Sequence, residues 1–472
     1  MATFAEQALT PDMFIRTPRS VVLLTGETCL LLTAVIASTF MQLGPLAVPA
    51  LSDGFGILRV VLIVGVCQMC LHYADLYDLP RIQNVREFLV RLLLAVGATS
   101  LILALLYVWF PRWTIGPGVF LIAGLLVISL VPSWRLTFAW LTTWVAPRAR
   151  LLIVGTNPAA VELAREIDDR RHELGVEIVG FADSNVERIG RRVLGRVVRD
   201  VEDILAMIRD TGADQIVVSL PDARGKLPMN QLLDLRLQAN VTFDHLASAY
   251  EQYTGKIAVE TLRPSWFIFS SGFRKTRLLL LVKRALDLGL AFLGLVIAAP
   301  FLLTAAAFVK LTSPGGALYR QERVGLNGRV FTIYKLRTMR ADAEAGTGPI
   351  WSTLNDPRVT PLGRFLRKTR LDELPQLWNV LRGDMSFVGP RPERPQFVEQ
   401  LTAAIPFFNQ RHVLKPGITG WAQVRHAYAA SVEDAIEKLQ YDLYYIKNVS
   451  LWLDLLILVE TVKTVVRQRG AR

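Results

Sequence analysis

Cysteine and histidine are both scarce in this chain of 472 residues, which has three of the former and five of the latter. The cysteines, Cys29, Cys67 and Cys70, all lie in apolar stretches. Cys67 and Cys70 have the C-x-x-C spacing of zinc and redox sites, yet no second cysteine or histidine pair accompanies them. The histidines are scattered as well. These absences argue against a zinc site and against thiol redox chemistry.

Acidic residues are also in deficit, with 41 Asp and Glu against 53 Lys and Arg, which gives a net charge of +12 at pH 7. A basic balance suits nucleic acid, anionic lipid or phosphorylated substrates. Hydrophobic residues make up 52% of the chain, and many of them lie in long apolar segments. We therefore expect membrane lipids and phosphorylated substrates as partners, and no nucleic acid.

Four apolar segments in the first third of the chain approach or exceed the length that crosses a hydrocarbon layer of roughly 30 Å at about 1.5 Å per residue. They are 21–43, 55–73, 88–110 and 116–134. Arg19 precedes the first segment and Arg150 follows the last, so the positive-inside rule places both ends in the cytoplasm. The first segment lacks a small-residue cleavage site and is interpreted as retained. The sequence thus predicts a four-helix transmembrane bundle over 1–147.

Residues 148–262 alternate short apolar strands with helical segments, a pattern typical of a doubly wound α/β domain. The first turn reads GTNPAA from Gly155, where a dinucleotide-binding domain shows G-x-G-x-x-G, and the Asn-Pro pair denies the backbone a close approach to a pyrophosphate. We expect a cytosolic Rossmann-like domain with a structural or regulatory role. The alternative, a nucleotide-sugar epimerase or dehydratase, needs a Tyr-x-x-x-Lys pair, and Tyr253 is followed at that spacing by Ile257.

A fifth apolar segment, 285–309, follows a linker over 263–282 and contains Pro300. Lys283 precedes it and Lys310 follows it. A simple span, which is the alternative, would place the basic C-terminal part outside the cell, against the positive-inside rule. Because proline removes a backbone donor and disrupts a helix interior, the sequence predicts a re-entrant helix that breaks at Pro300 and returns to the cytoplasmic face.

The most informative run is GRFLRKTRLDELPQLWNVLRGDMSFVGPRP, residues 363–392. It places several cations before the paired carboxylates Asp372 and Glu373. Pro375 fits only in the first turn of a helix, so a helix is expected to start close to Asp372. An apolar stripe follows at helical spacing, formed by Leu374, Leu377, Trp378 and Leu381. Carboxylates among cations at a helix start can be plain capping, or a place where phosphate and a divalent metal meet.

This run resembles the signature of the bacterial sugar transferases, the monotopic polyprenyl-phosphate hexose-1-phosphate transferases. The resemblance extends from about Lys283 to Arg472 and includes the blocks KRALDLGLAF, VKLTSPGG, YRQERVGLNGRVFTIYKLRTM, KPGITGWAQV and YDLYYIKN. It implies a mainly α catalytic domain over 283–472, anchored by the re-entrant helix 285–309. The family usually breaks that helix at Ser-Pro, whereas here the pair is Ala299-Pro300. The middle of the chain is similar to an exopolysaccharide branch associated with exosortases.

The resemblance implies a reaction between a UDP-sugar and polyprenyl (undecaprenyl) phosphate that gives polyprenyl diphosphate-sugar and UMP. Asp372 is the nucleophile that forms a covalent phosphosugar, and Glu373 helps to hold Mg²⁺, with Asp372 as a second metal ligand. Lys335 and Arg337 follow an apolar strand and are expected to bind the diphosphate, as is Arg391 in its proline-flanked loop. Arg364 is the fourth predicted substrate-binding residue.

Such an enzyme starts exopolysaccharide or a related glycan on the cytoplasmic face of the bacterial inner membrane. Downstream glycosyltransferases are then expected partners, and the protein could also form a homodimer. A transporter or polymerase subunit is a further class of function, but it needs polar residues spread through many spans. The last apolar stretch, 451–466, contains Asp454, Glu460 and Lys463, so it is predicted to be a helix that packs on the catalytic part or lies in the membrane interface. The identity of the sugar is not readable from these residues.

Overall fold

A computed structural model describes most of the chain. The described residues are 18–77, 85–116, 118–145, 149–220, 227–238, 241–262, 264–270, 272–340, 343, 356–426 and 431–466. They form two compact units, which divide the chain between Leu246 and Ala247. The first unit combines apolar helices with an α/β domain, and the second contains the run of paired carboxylates.

Four long apolar helices open the first unit. They are α1 (Pro18–Leu43), α3 (Gly56–Tyr73), α4 (Val85–Trp109) and α5 (Val119–Val145), with a short α2 (Ala47–Ser52) after the first. Their core includes Leu31, Leu71, Leu92 and Val131, each at most 1% exposed. All four are long and apolar enough to cross a membrane, and their cores coincide with the predicted segments. Large apolar side chains cover their outer faces, as expected for contact with lipid.

One polar side chain ties the apolar helices together. Arg135 on α5 donates from Nε to Glu27 Oε1 on α1 over 2.6 Å, and Glu27 is fully buried. Its Nη1 donates to the carbonyl of Leu76, in the turn after α3. The same guanidinium lies over the rings of Tyr77 and Phe88, 5.3 and 5.4 Å from their centroids. Charges within apolar helices are costly unless they are paired, so this contact fixes how the helices associate.

The α/β domain follows as a six-stranded sheet in the order β3-β4-β2-β1-β5-β6. The strands are β1 (Ala149–Val154), β2 (Val176–Asp183), β3 (Arg192–Val193), β4 (Arg196–Asp200), β5 (Gln215–Val218) and β6 (Thr242–His245). Its helices are α6 (Pro158–Asp169), α7 (Arg171–Leu174), α8 (Ile204–Thr211) and α9 (Met229–Gln238). All pairs are parallel except β3 with β4. A parallel sheet with helical crossovers is the predicted Rossmann-like class.

The second unit begins earlier than the sequence predicted. Residues 247–262 were expected in the α/β domain but belong to the C-terminal unit. They include all but the first residue of the helix α10 (Leu246–Thr254). Trp421 Nε1 donates to the carbonyl of Gly255 over 3.0 Å, and Lys256 pairs with Glu437 over 2.9 Å. These long-range contacts were not readable from the local pattern. The predicted linker contains a short helix, α11 (Pro264–Phe269).

A single helix, α12 (Arg277–Thr312), replaces the predicted broken one. It stays helical through Pro300, so the expected interruption is not seen, because a proline that keeps helical φ removes only one donor. A row of small or polar residues faces the rest of the unit: Asp287, Ala291, Ala298, Ala305 and Val309 are all buried. The other side is apolar and exposed, as Val296, Phe301 and Leu311 illustrate.

The remaining elements build the frame of the C-terminal unit. An antiparallel hairpin, β7 (Leu318–Val324) and β8 (Val330–Leu336), precedes α13 (Pro361–Lys368) and α14 (Gln376–Arg382). Two short parallel strands, β9 (Ser386–Val388) and β10 (Gly417–Thr419), flank α15 (Pro395–Ala404). The chain then forms α16 (Trp421–Arg425), α17 (Val432–Lys447) and α18 (Leu451–Val466). Within the described residues, α18 covers the predicted last helix.

Candidate active site

The paired carboxylates lie on a tight turn between two helices. Leu371–Glu373 forms a single 3-10 turn, and α14 begins only at Gln376, with Pro375 as its N-cap. The helix therefore starts four residues later than Asp372. Arg370, before the turn, has a φ of +57°, a left-handed conformation that is unfavourable for a side chain with a Cβ. Such backbone conformations occur at functional sites more often than elsewhere.

The face that α14 buries differs from the predicted apolar stripe. Leu377 is buried, but Trp378 is 50% exposed, and the buried positions include Gln376 and Asn379. Asn379 is fully buried because its amide serves the neighbouring strand β8. Its Nδ2 donates to the Thr332 carbonyl over 2.7 Å, and its Oδ1 accepts from the Tyr334 N–H over 3.2 Å. One polar side chain thus fixes β8, which carries Lys335, against the helix that follows the carboxylates.

Glu373 is surrounded by cations. Its Oε1 accepts from Arg391 Nη2 over 2.7 Å and from Lys335 Nζ over 3.2 Å. Arg370 Nη1 lies 3.9 Å from the other carboxylate oxygen. The side chain of Glu373 is 13% exposed, so little water screens these charges. Glu373 therefore holds two of the predicted substrate-binding residues, Lys335 and Arg391, in one place.

Asp372 has the opposite environment. It is 7% exposed, and its Oδ1 has no hydrogen-bond partner among the described residues. Burial, followed by the charge of Glu373, raises the pKa of Asp372 to about 6, while Lys335 and Arg367 oppose the shift. Burial also acts to raise the pKa of Glu373, but Arg391 and Lys335 overcome it and hold that pKa well below its usual value. The two adjacent carboxyl groups are thus differentiated, as in sites that assign them separate roles.

The loop that carries Arg391 is fixed by close backbone contacts. The Gly389 N–H donates to the Thr419 carbonyl over 2.9 Å, and the Gly417 N–H donates to the Pro390 carbonyl over 3.0 Å. A Cβ on Gly389 would lie 2.4 Å from the Lys415 carbonyl oxygen, and one on Gly417 would lie 2.1 Å from the Gly389 nitrogen. The two glycines of GPRP and KPGITG are therefore required by the approach of the β9 and β10 segments. This explains why both blocks occur in the same signature.

Around the carboxylates is a cavity of about 730 Å³. Eleven Lys and Arg residues line it against four Asp and Glu, so its field favours a ligand with several negative charges. The lining cations are Arg323, Lys335, Arg337, Arg340, Arg358, Arg367, Arg370, Arg391, Arg394, Arg411 and Lys438. Apolar and hydroxyl side chains from α18 and β10 complete the wall, among them Thr419, Thr461 and Val465.

The structure places the other two predicted substrate-binding residues differently. Arg337 lines the cavity, but its guanidinium donates to the Ser313 and Pro314 carbonyls over 2.9 and 2.7 Å and so holds the turn after α12. Arg364 is exposed and does not line the cavity. The inner side of α13 is set by Gly363, where a Cβ would lie 2.0 Å from the Thr338 carbonyl oxygen. Arg367, one turn after Gly363, is the arginine of this helix that reaches the cavity.

A metal would have few protein ligands here. No group of three or more His, Cys, Asp and Glu side chains suited to a metal is present within the described ranges. Mg²⁺, however, is commonly bound through one or two carboxylates together with substrate phosphates and water. The partnerless Oδ1 of Asp372 and the neighbouring Glu373 carboxylate fit that donor set.

A pocket of about 490 Å³ lies beside the first turn of the α/β domain, lined among others by Thr156, Arg165 and Arg188. In this class the ligand lies beyond the carboxyl ends of the central strands, here β1 and β5. Asn157 Nδ2 donates to the Ser219 hydroxyl over 2.6 Å and bridges these two strand ends. Asp183, at the end of β2, accepts from both the backbone N–H and the hydroxyl of Thr156 over 2.8 and 2.5 Å. The Asp183 carboxylate is thus already engaged by hydrogen bonds from the chain's own first turn.

Two family models match different parts of the chain. The family model of the bacterial sugar transferases matches residues 278–468, and that of a CoA-binding domain matches 72–236. A UDP-N-acetylgalactosamine-undecaprenyl-phosphate N-acetylgalactosaminephosphotransferase of Aeromonas hydrophila is 39% identical over 56% of this chain and 62% of its own length. The chain thus spans less than two thirds of that relative.

Two further relatives are aligned over more of their length. A UDP-glucose:undecaprenyl-phosphate glucose-1-phosphate transferase of Xanthomonas campestris pv. campestris is 33% identical over 75% of this chain and 74% of its own length. The enzyme of the same description from Escherichia coli (strain K12) is 36% identical over 66% of this chain and 67% of its own length. These alignments extend beyond the matched C-terminal residues. The chain is an enzyme that belongs to the bacterial sugar transferase family, in the large form with N-terminal apolar helices.

Proposed function

We propose that the protein transfers a hexose-1-phosphate from a UDP-sugar to undecaprenyl phosphate, with release of UMP. The observation that carries this proposal is a buried carboxylate oxygen of Asp372 that has no hydrogen-bond partner among the described residues, in a cavity that eleven described cations line. A diphosphate donor and a phosphate acceptor bring several negative charges together, and such a wall offsets their repulsion. The related enzymes, by their descriptions, use a UDP-sugar and undecaprenyl phosphate.

The reaction proceeds in two steps. The Asp372 carboxylate attacks the sugar-bearing phosphorus of the UDP-sugar, and the bond from that phosphorus to the bridging oxygen breaks as UMP leaves. An acyl phosphate then links Asp372 to the sugar-phosphate. A phosphate oxygen of undecaprenyl phosphate attacks the same phosphorus, which forms the diphosphate and frees the carboxylate. Two steps allow two bulky anions to use the cavity in succession.

The neighbouring side chains orient and stabilise these groups. Glu373 holds Lys335 and Arg391 beside Asp372, where both cations would stabilise the phosphate oxygens that gain charge as UMP leaves. Arg367 and Arg370 line the cavity on the other flank of Asp372. Asp372 and Glu373 would hold Mg²⁺, which supplies further charge neutralisation on the phosphates when bound.

The catalytic unit acts from the cytoplasmic face of the inner membrane, with α12 as a re-entrant anchor. Lys283 and Lys310 flank the apolar part of α12, and the positive-inside rule favours the cytoplasm for both. A bend at Pro300, where proline removes one backbone donor, would let both ends of α12 stay on one side of the membrane.

The product is the lipid-linked first sugar of an exopolysaccharide or a related glycan. One relative of Rhizobium leguminosarum bv. phaseoli, 41% identical over 94% of its length, is described as an exopolysaccharide production protein. Downstream glycosyltransferases would extend this product, and self-association as a homodimer is compatible with the proposal.

An exchange assay tests the two-step reaction. Purified protein in detergent, incubated with a panel of UDP-sugars and radiolabelled UMP, is expected to exchange label into one UDP-sugar without any polyprenyl phosphate. Asp372→Asn should abolish the exchange. Asp384→Asn is the matched control, because Asp384 lies in the same signature but pairs with Arg382 over 3.5 Å at the surface. Exchange that strictly requires the lipid would contradict the covalent intermediate and favour direct transfer.

A further inference from the structure

The block YDLYYIKN, which is part of the family resemblance, lies away from the carboxylates in sequence but beside their supporting loop in space. It forms the second half of α17, and Asp442 and Tyr445 are almost fully buried. Tyr445 donates its hydroxyl to the Val388 carbonyl over 3.1 Å and contacts Asp454 Oδ1 at 2.7 Å. Both buried residues therefore lie on the side of α17 that faces β9 and the loop of Arg391.

Asp442 is half of a buried ion pair. Arg411 Nη2 donates to Asp442 Oδ2 over 2.7 Å, and the two side chains are 6% and 3% exposed. Arg411 lies on a 3-10 turn, Phe408–Val413, where its guanidinium carbon is 5.0 Å from the centroid of the Phe408 ring. A pair so deeply buried contributes little net stability, because desolvation of both charges offsets their attraction. The role of the Arg411–Asp442 ion pair is therefore something other than stability.

The second contact of the same nitrogen indicates that role. Arg411 Nη2 also donates to the backbone carbonyl of Arg391 over 2.9 Å. The Arg391 side chain in turn donates to Glu373 Oε1 over 2.7 Å. Backbone hydrogen bonds at Gly389 and Pro390 fix the start of this loop, but the prolines that flank Arg391 have no N–H to donate, so the Arg411 contact holds the loop at Arg391 itself. A continuous series of contacts therefore runs from Asp442 through Arg411 and Arg391 to Glu373.

We propose that Arg411 and Asp442 are positioning residues, which set the place of Arg391 and thereby of Glu373 beside Asp372. The inference rests on the proposed function, since it concerns the same site. Asp442 fixes the guanidinium of Arg411, and Arg411 fixes the carbonyl of Arg391. The loop then presents the Arg391 side chain to Glu373 at hydrogen-bond distance, where a displacement of about 1 Å is enough to cost roughly 100-fold in rate.

The test removes both buried charges together. Arg411→Met with Asp442→Asn keeps the bulk of both side chains and leaves no unpaired charge, so the double variant is expected to fold with a melting temperature near that of the wild type. Its kcat/KM is expected to fall roughly 10- to 100-fold. Arg411→Lys, whose ammonium can donate to both oxygens, is expected to recover most of the loss. Wild-type activity in the folded double variant would overturn the proposal.

A double-mutant cycle separates positioning from direct contact, because both residues also line the cavity. In an Arg391→Ala background the pair of substitutions is expected to cost nothing further, since their effect passes through Arg391. Full additivity would overturn the proposal and would assign Arg411 a substrate contact of its own. Glu251→Gln is the control, because it removes an ion pair with Lys447 on the same helix, 2.5 Å long, without touching Arg411.

A binding measurement keeps this inference separate from the proposed reaction. A ligand that binds the folded protein raises its melting temperature. UDP is therefore expected to raise the melting temperature of each variant in which Arg391 is positioned to bind the diphosphate. The double variant is expected to lose most of that shift, whereas Glu251→Gln is expected to keep it. An unchanged shift in the double variant would contradict positioning even if the enzyme transferred no sugar-phosphate at all. Absence of exchange in the wild type, with the shifts as expected, would contradict only the proposed reaction.

Discussion

At the scale of single residues, the surroundings of the neighbouring carboxyl groups Asp372 and Glu373 shift their pKa values in opposite directions. Glu373 is compensated by Arg391 and Lys335, while Asp372 is buried with one oxygen that has no partner within the described chain. A carboxylate nucleophile has to be deprotonated, and its attacking oxygen has to be free of strong hydrogen bonds. The geometry of Asp372 Oδ1 meets the second condition within the described residues. The first depends on pH, which leads to a direct prediction.

We expect the activity to fall at mildly acidic pH. Burial raises the pKa of Asp372 to about 6, and only the carboxylate attacks phosphorus, so kcat/KM should lose about tenfold per pH unit below that value. The profile of kcat/KM between about pH 4.5 and pH 8 checks this. A profile that stays flat down to pH 5 would contradict an Asp372 nucleophile with a raised pKa.

Asp372→Asn should stabilise the protein while it abolishes turnover. A carboxyl whose folded pKa lies above its unfolded value of 3.8 binds a proton more readily in the folded state, so its charge destabilises the fold above about pH 6. Asparagine removes this cost, on the order of 1–3 kcal/mol. Melting temperatures at pH 7.5 should favour the variant, and the difference should shrink as the pH falls toward 4. A less stable variant at pH 7.5 would contradict the assignment.

The sequence predicted part of the site. It did not predict the residues whose place depends on which side of a helix is buried or on contacts with distant parts of the chain. Lys335, Asp372, Glu373 and Arg391 were expected on motif grounds, and the structure brings them together. Arg364 and Arg367 were hard to distinguish because spacing along a helix does not say which side is buried. The close approach of Gly363 to Thr338 shows which side of α13 is buried, and Arg367 lies one turn after Gly363. Arg411 had no recognisable signal, since its partners lie 20 and 31 residues away in the chain.

At the scale of elements, the bounds of the apolar helices were predictable and the path of α12 was not. Apolar length largely sets the extent of a helix in lipid, so the predicted segments of the first third match α1, α3 and α4 to within three residues, whereas α5 extends eleven residues beyond the predicted end at residue 134. Pro300 was expected to interrupt the fifth helix. Its backbone remains helical, and Thr304 donates its hydroxyl to the Pro300 carbonyl over 2.8 Å. A proline in sequence does not distinguish a bend from a break.

Cysteine labelling tests the re-entrant path of α12. Single cysteines at Thr276, which caps the start of α12, and at Gly315, just beyond its end, are placed in a background without the three native cysteines. Because both ends are proposed to face the cytoplasm, neither should react with an impermeant thiol reagent in whole cells. Both should react after permeabilisation, which serves as the control. Labelling of Gly315→Cys alone from outside would establish a simple span.

At the scale of the whole molecule, the parallel α/β sheet and the family were predictable, but the point at which the chain divides into two units was not. The alternation of strands and helices gave the parallel α/β sheet, and the C-terminal motifs gave the family. The boundary after Leu246 depends on contacts such as Lys447 with Glu251, which are 196 residues apart. Side chains that meet across such separations leave no periodic pattern in the sequence.

The α/β domain should not need a dinucleotide. Its first turn lacks the second glycine of the dinucleotide fingerprint, and Asp183 already accepts from Thr156. Calorimetric titration of the full-length protein with NAD or NADP should therefore show no binding at low micromolar concentration, and UMP exchange should be the same with and without them. Tight binding, or activity that requires the dinucleotide, would contradict a structural or regulatory role of this domain.

The contact between Glu27 and Arg135 also constrains the order in which the protein is made. The two residues are separated by 108 positions, so at a synthesis rate of roughly 5–20 residues per second Glu27 waits about 5–20 s for its partner. During that interval α1 carries a lone acidic group some 14 Å from its first residue, a burden of roughly 3 kcal/mol for a helix in lipid. The first helix is therefore expected to remain beside the insertion machinery until α5 emerges and Arg135 pairs with Glu27.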